Sequence, residues 1–319
     1  MQKQKIHNTN LEPTRIIYGC MNLGNNRNRS ELNEDEMKRE AVKSINAALE
    51  QGITFFDHAD IYGRGKSEEM FSEIWNVHPG LRDKIILQSK CGIRFEGDTV
   101  PGAPHRFDFS YDHIIKSAEG SLKRLKTDYL DTLLLHRPDP LVEPEEVAKA
   151  FSDLQQSGKV KYFGVSNHTA YQIDLLKKYV GQPLVINQLE LNLIHSDLIN
   201  AGIITNQRYP EKFIRGEGAL EYCRLHDITV QAWSPLALGA FNDENMRLFK
   251  IVSEIASERK VSTEAVVTAW LLRHPAKIQP VIGTRRPERI AAICRADSIE
   301  LTREEWFKLF IAGRGEDLP

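Results

Sequence analysis

Four side chains able to hold or move a proton stand at or just beyond the ends of short apolar runs. They are Asp57 in TFFDHA (54–59), Tyr62 shortly after it, Lys90 closing KIILQSK (84–90) and His136 closing YLDTLLLH (129–136). A phenol is a poor acid near neutrality because its ordinary pKa is about 10, but a neighbouring ammonium favours the phenolate and eases release of the proton. Lys90 can supply that ammonium, Asp57 the counter-charge that holds it, and His136 a hydrogen bond that orients a substrate oxygen. Taken singly, each residue has a plain structural reading as a turn cap, a solvated charge or a hydrogen-bonded interior group. Four compatible groups at successive strand ends predict instead one pocket equipped for acid catalysis.

Metal chemistry has no comparable signal. Cys20, Cys91, Cys223 and Cys294 lie far apart, with no CxxC and no Cys/His cluster at ligand spacing, so isolated thiols and no metal are expected. The run Gly63–Ser67 lacks the glycine that a P-loop needs five places before Gly65, where Asp60 stands, and no GxGxxG follows a strand.

The elements that must carry these residues repeat along the chain. Apolar runs rich in β-branched residues occur at 15–21, 54–59, 84–90, 129–136, 160–166, 184–191, 229–236 and 278–283. Between most of them lie segments of helical period, such as EDEMKREAVKSINAALEQG, YDHIIKSAEGSLKRLKT, EPEEVAKAFSDLQQSGK and STEAVVTAWLLRHP. Eight βα units without a linker predict an α/β protein of one domain over 1–319, a closed (β/α)8 TIM barrel with continuously apolar strands. The long irregular pieces 92–110, 191–213 and 236–245 follow strands three, six and seven and fall on the C-terminal rim, where barrel active sites form.

Composition narrows the classes further. Over 319 residues, 42 Lys+Arg against 44 Asp+Glu leave a net charge of −2, which offers no basic footprint for nucleic acid. With 41% hydrophobic and 27% charged residues the chain suits a globular protein. The polar start MQKQKIHNTN and the lack of about 18 consecutive apolar residues predict no membrane segment, with a cytoplasmic monomer as the default.

With these residues in view, FDHADIYGRGKSE, Lys90, LLLHRPD, GVSN, NQLELN, AWSPL and VIGTRRPERI together resemble the aldo-keto reductase family. The resemblance runs over nearly the whole chain and is specific, because seven motifs fall in family order at family-like spacing. It implies a TIM barrel that reduces a small-molecule carbonyl with a nicotinamide cofactor. It maps the family's catalytic tetrad onto Asp57, Tyr62, Lys90 and His136, with Tyr62 giving the proton to the carbonyl oxygen. By the same likeness Ser166, Asn167 and Gln188 bind the carboxamide, Trp233 stacks on the nicotinamide, and Ser234, Leu236 and Gly239 follow the pyrophosphate.

After the last strand, Gly283-Thr284-Arg285-Arg286-Pro287-Glu288-Arg289 opens a helix with proline in its first turn, a place where free amide N–H groups and the positive helix end attract an anion. The arginine fork suits phosphate, so the 2′-phosphorylated cofactor NADPH/NADP+ is expected, held by Thr284, Arg285 and Arg289 beside Gly283. Where family members often carry a Glu-Asn pair for the adenine, this chain has Ala292-Ile293. Two other classes fit parts of the pattern. One is a cofactor-binding redox sensor with slow turnover, resembling potassium-channel β-subunits. The other is a barrel hydrolase or lyase using Lys90 as a Schiff base, against which an adjacent Asp57 argues.

Overall fold

Each of the eight apolar runs folds as a strand, and the strands are parallel neighbours around a closed ring. The computed structural model describes residues 1–24, 33–204, 218–242 and 246–319. The strands are β1 (Ile17–Gly19), β2 (Phe55–Asp57), β3 (Ile86–Cys91), β4 (Leu130–Leu135), β5 (Val160–Ser166), β6 (Leu184–Glu190), β7 (Thr229–Trp233) and β8 (Gln279–Ile282). The ring runs β1-β8-β7-β6-β5-β4-β3-β2 and closes on itself, as the repeated βα pattern predicts for a (β/α)8 TIM barrel.

Helices cover the outside, among them α1 (Glu34–Glu50), α2 (Lys66–Ser72), α3 (Tyr111–Leu125), α4 (Pro144–Gln156), α5 (Ala170–Lys177), α6 (Ala219–Leu225), α7 (Thr263–Leu272) and α8 (Pro287–Cys294). Local sequence sets their ends. Asn33 accepts from the Glu36 amide at 3.0 Å while the Glu36 carboxylate accepts from the Asn33 amide at 2.9 Å, a reciprocal cap that fixes where α1 starts. Thr169 and Gln172 do the same for α5. The outer core lies between strands and helices, with Leu87, Leu133 and Leu135 facing Ala118, Leu122, Ala150 and Phe151 in one continuous cluster.

The strands carry apolar and polar side chains in two further groups. Ile6 and Leu11 of the first residues join Ile17, Phe55, Leu134, Val185, Ile186 and Val281 in an apolar cluster separate from the outer one. Polar strand residues are buried as well, among them Asp57, Gln88, Thr132, Gln188, Gln231 and Gln279. The register sets Asp57 beside Gln88, Gln88 beside Thr132, Gln188 beside Gln231 and Gln231 beside Gln279. The expected continuously apolar strand is therefore interrupted on both faces, by Gln88 on one side of β3 and by Ser89 on the other. A ring interior can accept polar side chains where they satisfy one another, which open strand patterns do not reveal.

On the rim, the loop after β3 folds partly into an antiparallel pair, Ile93–Arg94 with Arg106–Phe107. Of the other two predicted rim loops, residues 205–217 and 243–245 lie outside the described residues. Among the described residues no helix is long and apolar enough to cross a membrane.

Gly92 lets the chain leave β3 at the point where Lys90 must stay fixed. Its φ is +108°, and a Cβ there would lie 2.3 Å from the Phe109 ring. Gly92→Ala should therefore destabilise the protein by roughly 2 kcal/mol or more, through backbone strain and ring displacement. A urea midpoint within about 0.5 kcal/mol of the parent would contradict this account of the turn.

Candidate active site

The ends of β2, β3 and β4 and the turn beyond β2 that starts at Tyr62 bring the four predicted proton-handling residues together. Lys90 has no solvent exposure and Asp57 has 1%. The Lys90 Nζ lies 2.8 Å from Asp57 Oδ1 and donates to Asp57 Oδ2 at 2.9 Å, to the His58 carbonyl at 2.7 Å and to the Tyr62 hydroxyl at 3.0 Å. An ammonium has three hydrogens, and three groups receive them. Because Tyr62 accepts from Lys90, its own hydroxyl hydrogen is directed elsewhere.

The electrostatics follow from burial and from this pairing. Burial alone would lower the Lys90 pKa, but the Asp57 charge and the hydrogen bonds outweigh it and hold the group above its ordinary range. For Tyr62 the balance tips the other way. Burial raises its pKa more than the Lys90 charge lowers it, so the phenol keeps its proton more firmly than a free tyrosine. The sequence-based expectation has the right sign for Lys90 and lacks the burial that outweighs it. His136 stands edge-on to Tyr62, with ring centroids 6.0 Å apart. Burial, then the Lys90 and Arg137 charges, push its pKa well below the usual imidazole value, so it is neutral, and its Nδ1 is buried without a partner.

The ends of β5, β6 and β7 build the adjoining wall. Asn167, left-handed at φ +62°, donates to the His136 carbonyl at 3.1 Å and to Ser166 Oγ at 2.8 Å, while its Oδ1 accepts from Trp233 Nε1 at 3.0 Å. The half-buried indole is thus pinned by a residue on another strand, with the Arg137 guanidinium 5.6 Å from its ring centroid. Ser166 Oγ donates to the Gln188 carbonyl at 2.8 Å. Past Trp233, Ser234, Ala237, Leu238 and Gly239 all take positive φ, which coils the chain tightly along the rim.

The far wall comes from β8 and the start of α8. Asn22 Nδ2 donates to the Gly283 carbonyl at 2.9 Å, and Ser44 Oγ to the Arg285 carbonyl at 3.0 Å. No side chain caps α8, and proline opens it. Arg289 meets Glu264 at 2.9 Å through Nη2, while its Nε is buried without a partner.

A single cleft of about 1060 Å³ connects these walls. Every predicted site residue lines it except Lys90, which lies beneath Tyr62: Asp57, Tyr62, His136, Ser166, Asn167, Gln188, Trp233, Ser234, Leu236, Gly239, Gly283, Thr284, Arg285 and Arg289. Ala292 and Ile293 do not line it, and Ile293 is buried. Sequence reasoning missed Asn22, Lys43 and Arg137, which line the cleft, and Gln88 and Gln231 behind it. Arg137 had a readable signal, since it directly follows His136. The others carry none before the chain is folded.

A family model described as the aldo/keto reductase family matches residues 15–310. The chain belongs to the aldo/keto reductase family. It is accordingly an oxidoreductase acting on carbonyl or alcohol substrates. This aldo/keto reductase is 38% identical over 315 residues to the uncharacterized oxidoreductase YcsN of Bacillus subtilis, with 97% of each chain covered. It is 37% identical over 315 residues, again with 97% of each covered, to a 6-dehydroglucose reductase of Agrobacterium fabrum. The glycerol dehydrogenase structure from Gluconobacter oxydans shares its fold, with a TM-score of 0.79 at 23% identity over 100% of this chain and 98% of that one.

Histidines shielded from water should make the stability of the reductase fall in acid. His58 packs edge-on against Phe71 at 4.6 Å with neither ring nitrogen bonded, and burial, then the Lys90 charge, lower its pKa to about 3. Burial lowers His113, His168 and His274 to about 4. Unfolded histidines take up protons below about pH 6.5 while these native ones do not, so the unfolded state gains relative stability as pH falls from about 6.5 toward 4. His58→Leu should make that decline shallower by about 2 kcal/mol between pH 7 and 4.5, read from urea midpoints at both. An unchanged slope would show that native His58 takes up its proton over the same pH range as in the unfolded chain.

Proposed function

We propose that this protein reduces an aldehyde or ketone to an alcohol with NADPH, and that Tyr62 is the acid that protonates the carbonyl oxygen. The observation that carries this reading is the Tyr62 hydroxyl itself. It accepts from a fully buried Lys90, keeps its own hydrogen, and faces the same cleft as the neutral His136.

The residues present fit such a cofactor. Gln188 and the pinned Trp233 indole flank the space beside Tyr62, which suits a flat ring bearing an amide. At the other end the uncapped start of α8, Arg285, and the buried unpartnered Nε of Arg289 suit a phosphate. The chemistry that a nicotinamide bound beside Tyr62 would supply is hydride delivery to the carbonyl carbon.

The chain's own residues handle the remaining charge. As negative charge grows on the carbonyl oxygen, Tyr62 gives up its proton, and the phenolate left behind is stabilised by the Lys90 ammonium at 3.0 Å. Asp57 keeps Lys90 charged and aimed, so both act through Tyr62. His136 orients the carbonyl oxygen beside the phenol. The name of the Agrobacterium relative, a 6-dehydroglucose reductase, supports a small polar carbonyl as the class to screen first.

Tyr62→Phe should lower kcat at least about 100-fold. It should change the Kd for NADPH by less than about threefold, as measured by tryptophan quenching. A variant keeping more than a tenth of parental turnover would remove Tyr62 from the role of acid. Arg285→Ala should weaken NADPH binding about tenfold and leave NADH binding nearly unchanged. Equal losses for both nucleotides would place the phosphate-selective contact elsewhere.

A further inference from the structure

Asp57, Gln88, Gln231 and Gln188 form a chain of side-chain hydrogen bonds across the barrel interior, and none of them is more than 2% exposed. Gln88 Nε2 donates to Asp57 Oδ1 at 2.6 Å and to Gln231 Oε1 at 2.8 Å, and Gln188 Nε2 donates to the same Gln231 oxygen at 3.0 Å. A primary amide has a donating end and an accepting end, and in isolation either can face a given neighbour. Charge removes that freedom here. The Asp57 carboxylate, balanced by Lys90, has only lone pairs to offer, so Gln88 must turn its NH2 toward it. Thr132 Oγ1 holds the carbonyl end of Gln88 at 3.0 Å. The second hydrogen of the Gln88 NH2 then requires an oxygen from Gln231, and that oxygen draws the NH2 of Gln188. Gln188 lines the cleft, and its side-chain Oε1 is the end that the barrel has not used, its backbone carbonyl being the one that accepts from Ser166.

We infer that Gln88 and Gln231 are positioning residues that transmit the polarity of Asp57 to Gln188, so that Gln188 presents an acceptor selecting the NH2 of a nicotinamide carboxamide. The inference rests on the cofactor reading above and adds what fixes the direction of its amide contact. One carboxylate then prepares both partners of the reaction. Through Lys90 it readies the Tyr62 hydroxyl, and through two glutamines it orients the group that grips the ring. Gln279 provides an internal comparison, since it is buried as well, accepts from Gln231 at 3.5 Å, leaves its own Nε2 unbonded and stands off the path.

The test compares the Kd of NADP+ with that of its 3-acetylpyridine analogue, which carries a methyl where the carboxamide carries NH2. The wild type should prefer NADP+ on the order of three- to tenfold, the worth of one neutral hydrogen bond. Gln231→Met and Gln88→Met remove the amide while keeping an unbranched side chain of similar volume, and should bring the ratio close to one. Gln279→Met should keep the wild-type ratio. General loosening of the barrel would weaken both nucleotides together and leave the ratio where it was. A wild-type ratio in Gln231→Met overturns the relay and leaves the cofactor reading standing, whereas a wild type that binds neither nucleotide overturns both. Equal binding of the two nucleotides by the wild type removes the Gln188 contact, and the relay with it. Should the methionine variants fail to fold, the nucleotide-free wild type answers by NMR. The side-chain NH2 of Gln188 should exchange slowly with solvent because it faces Gln231, and fast exchange there overturns the proposal.

Discussion

A lysine ammonium shut away from water must find a protein acceptor for every hydrogen, and around Lys90 that demand organises the C-terminal end of the barrel. Removing an ion from water costs several kcal/mol even after the surroundings relax, and one carboxylate rarely offsets the whole. Here Asp57, the His58 carbonyl and the Tyr62 hydroxyl share the task, so three positions along the β2 end and the turn beyond it are tied to one atom on β3. Well-packed apolar residues often serve stability as well as a buried ion pair does. An ion pair whose third hydrogen is spent on a phenol at a cleft floor is better explained by what it does to the phenol.

The same pair is supported from behind. Ser89, on the opposite face of β3 from Lys90, donates to buried Glu68 of α2 at 2.7 Å, and Glu68 meets Arg124 of α3 at 2.7 Å. The strand is thereby fastened to the helix layer at the level where its other face carries the ammonium. The His136 amide donates to the Cys91 carbonyl at 2.8 Å, which fixes the level of the imidazole relative to Lys90. The strand ends, with the short turn that carries Tyr62, set the distances among Asp57, Lys90, Tyr62 and His136.

Opposing effects at Tyr62 show why neighbour identity alone misjudges a site. An ammonium at hydrogen-bond distance favours the phenolate, yet the burial required to build the site favours the neutral phenol more strongly. The outcome suits an acid that holds its proton until negative charge develops beside it. His136 follows the same rule, kept neutral by burial and by two nearby cations, so it can orient an oxygen without adding a charge of its own.

The eight strands were legible in the sequence because their buried sides read as apolar runs, and the candidate site residues, which apart from Lys90 line one cleft, were named because family motifs sit on those runs. The chain alone therefore determined the fold class, the positions of Asp57, Tyr62, Lys90 and His136, and the strand ends that carry the cleft. Ring closure decided the rest. Gln88 and Gln231 are 143 residues apart, on strands that are not neighbours, and meet only because a closed barrel turns both side chains toward one axis. The pinning of Trp233 by Asn167, and the dominance of burial over charge at Tyr62, likewise depend on distances through space and on excluded water. Local pattern encodes which face of a strand is dry, but it carries no record of what stands across the barrel.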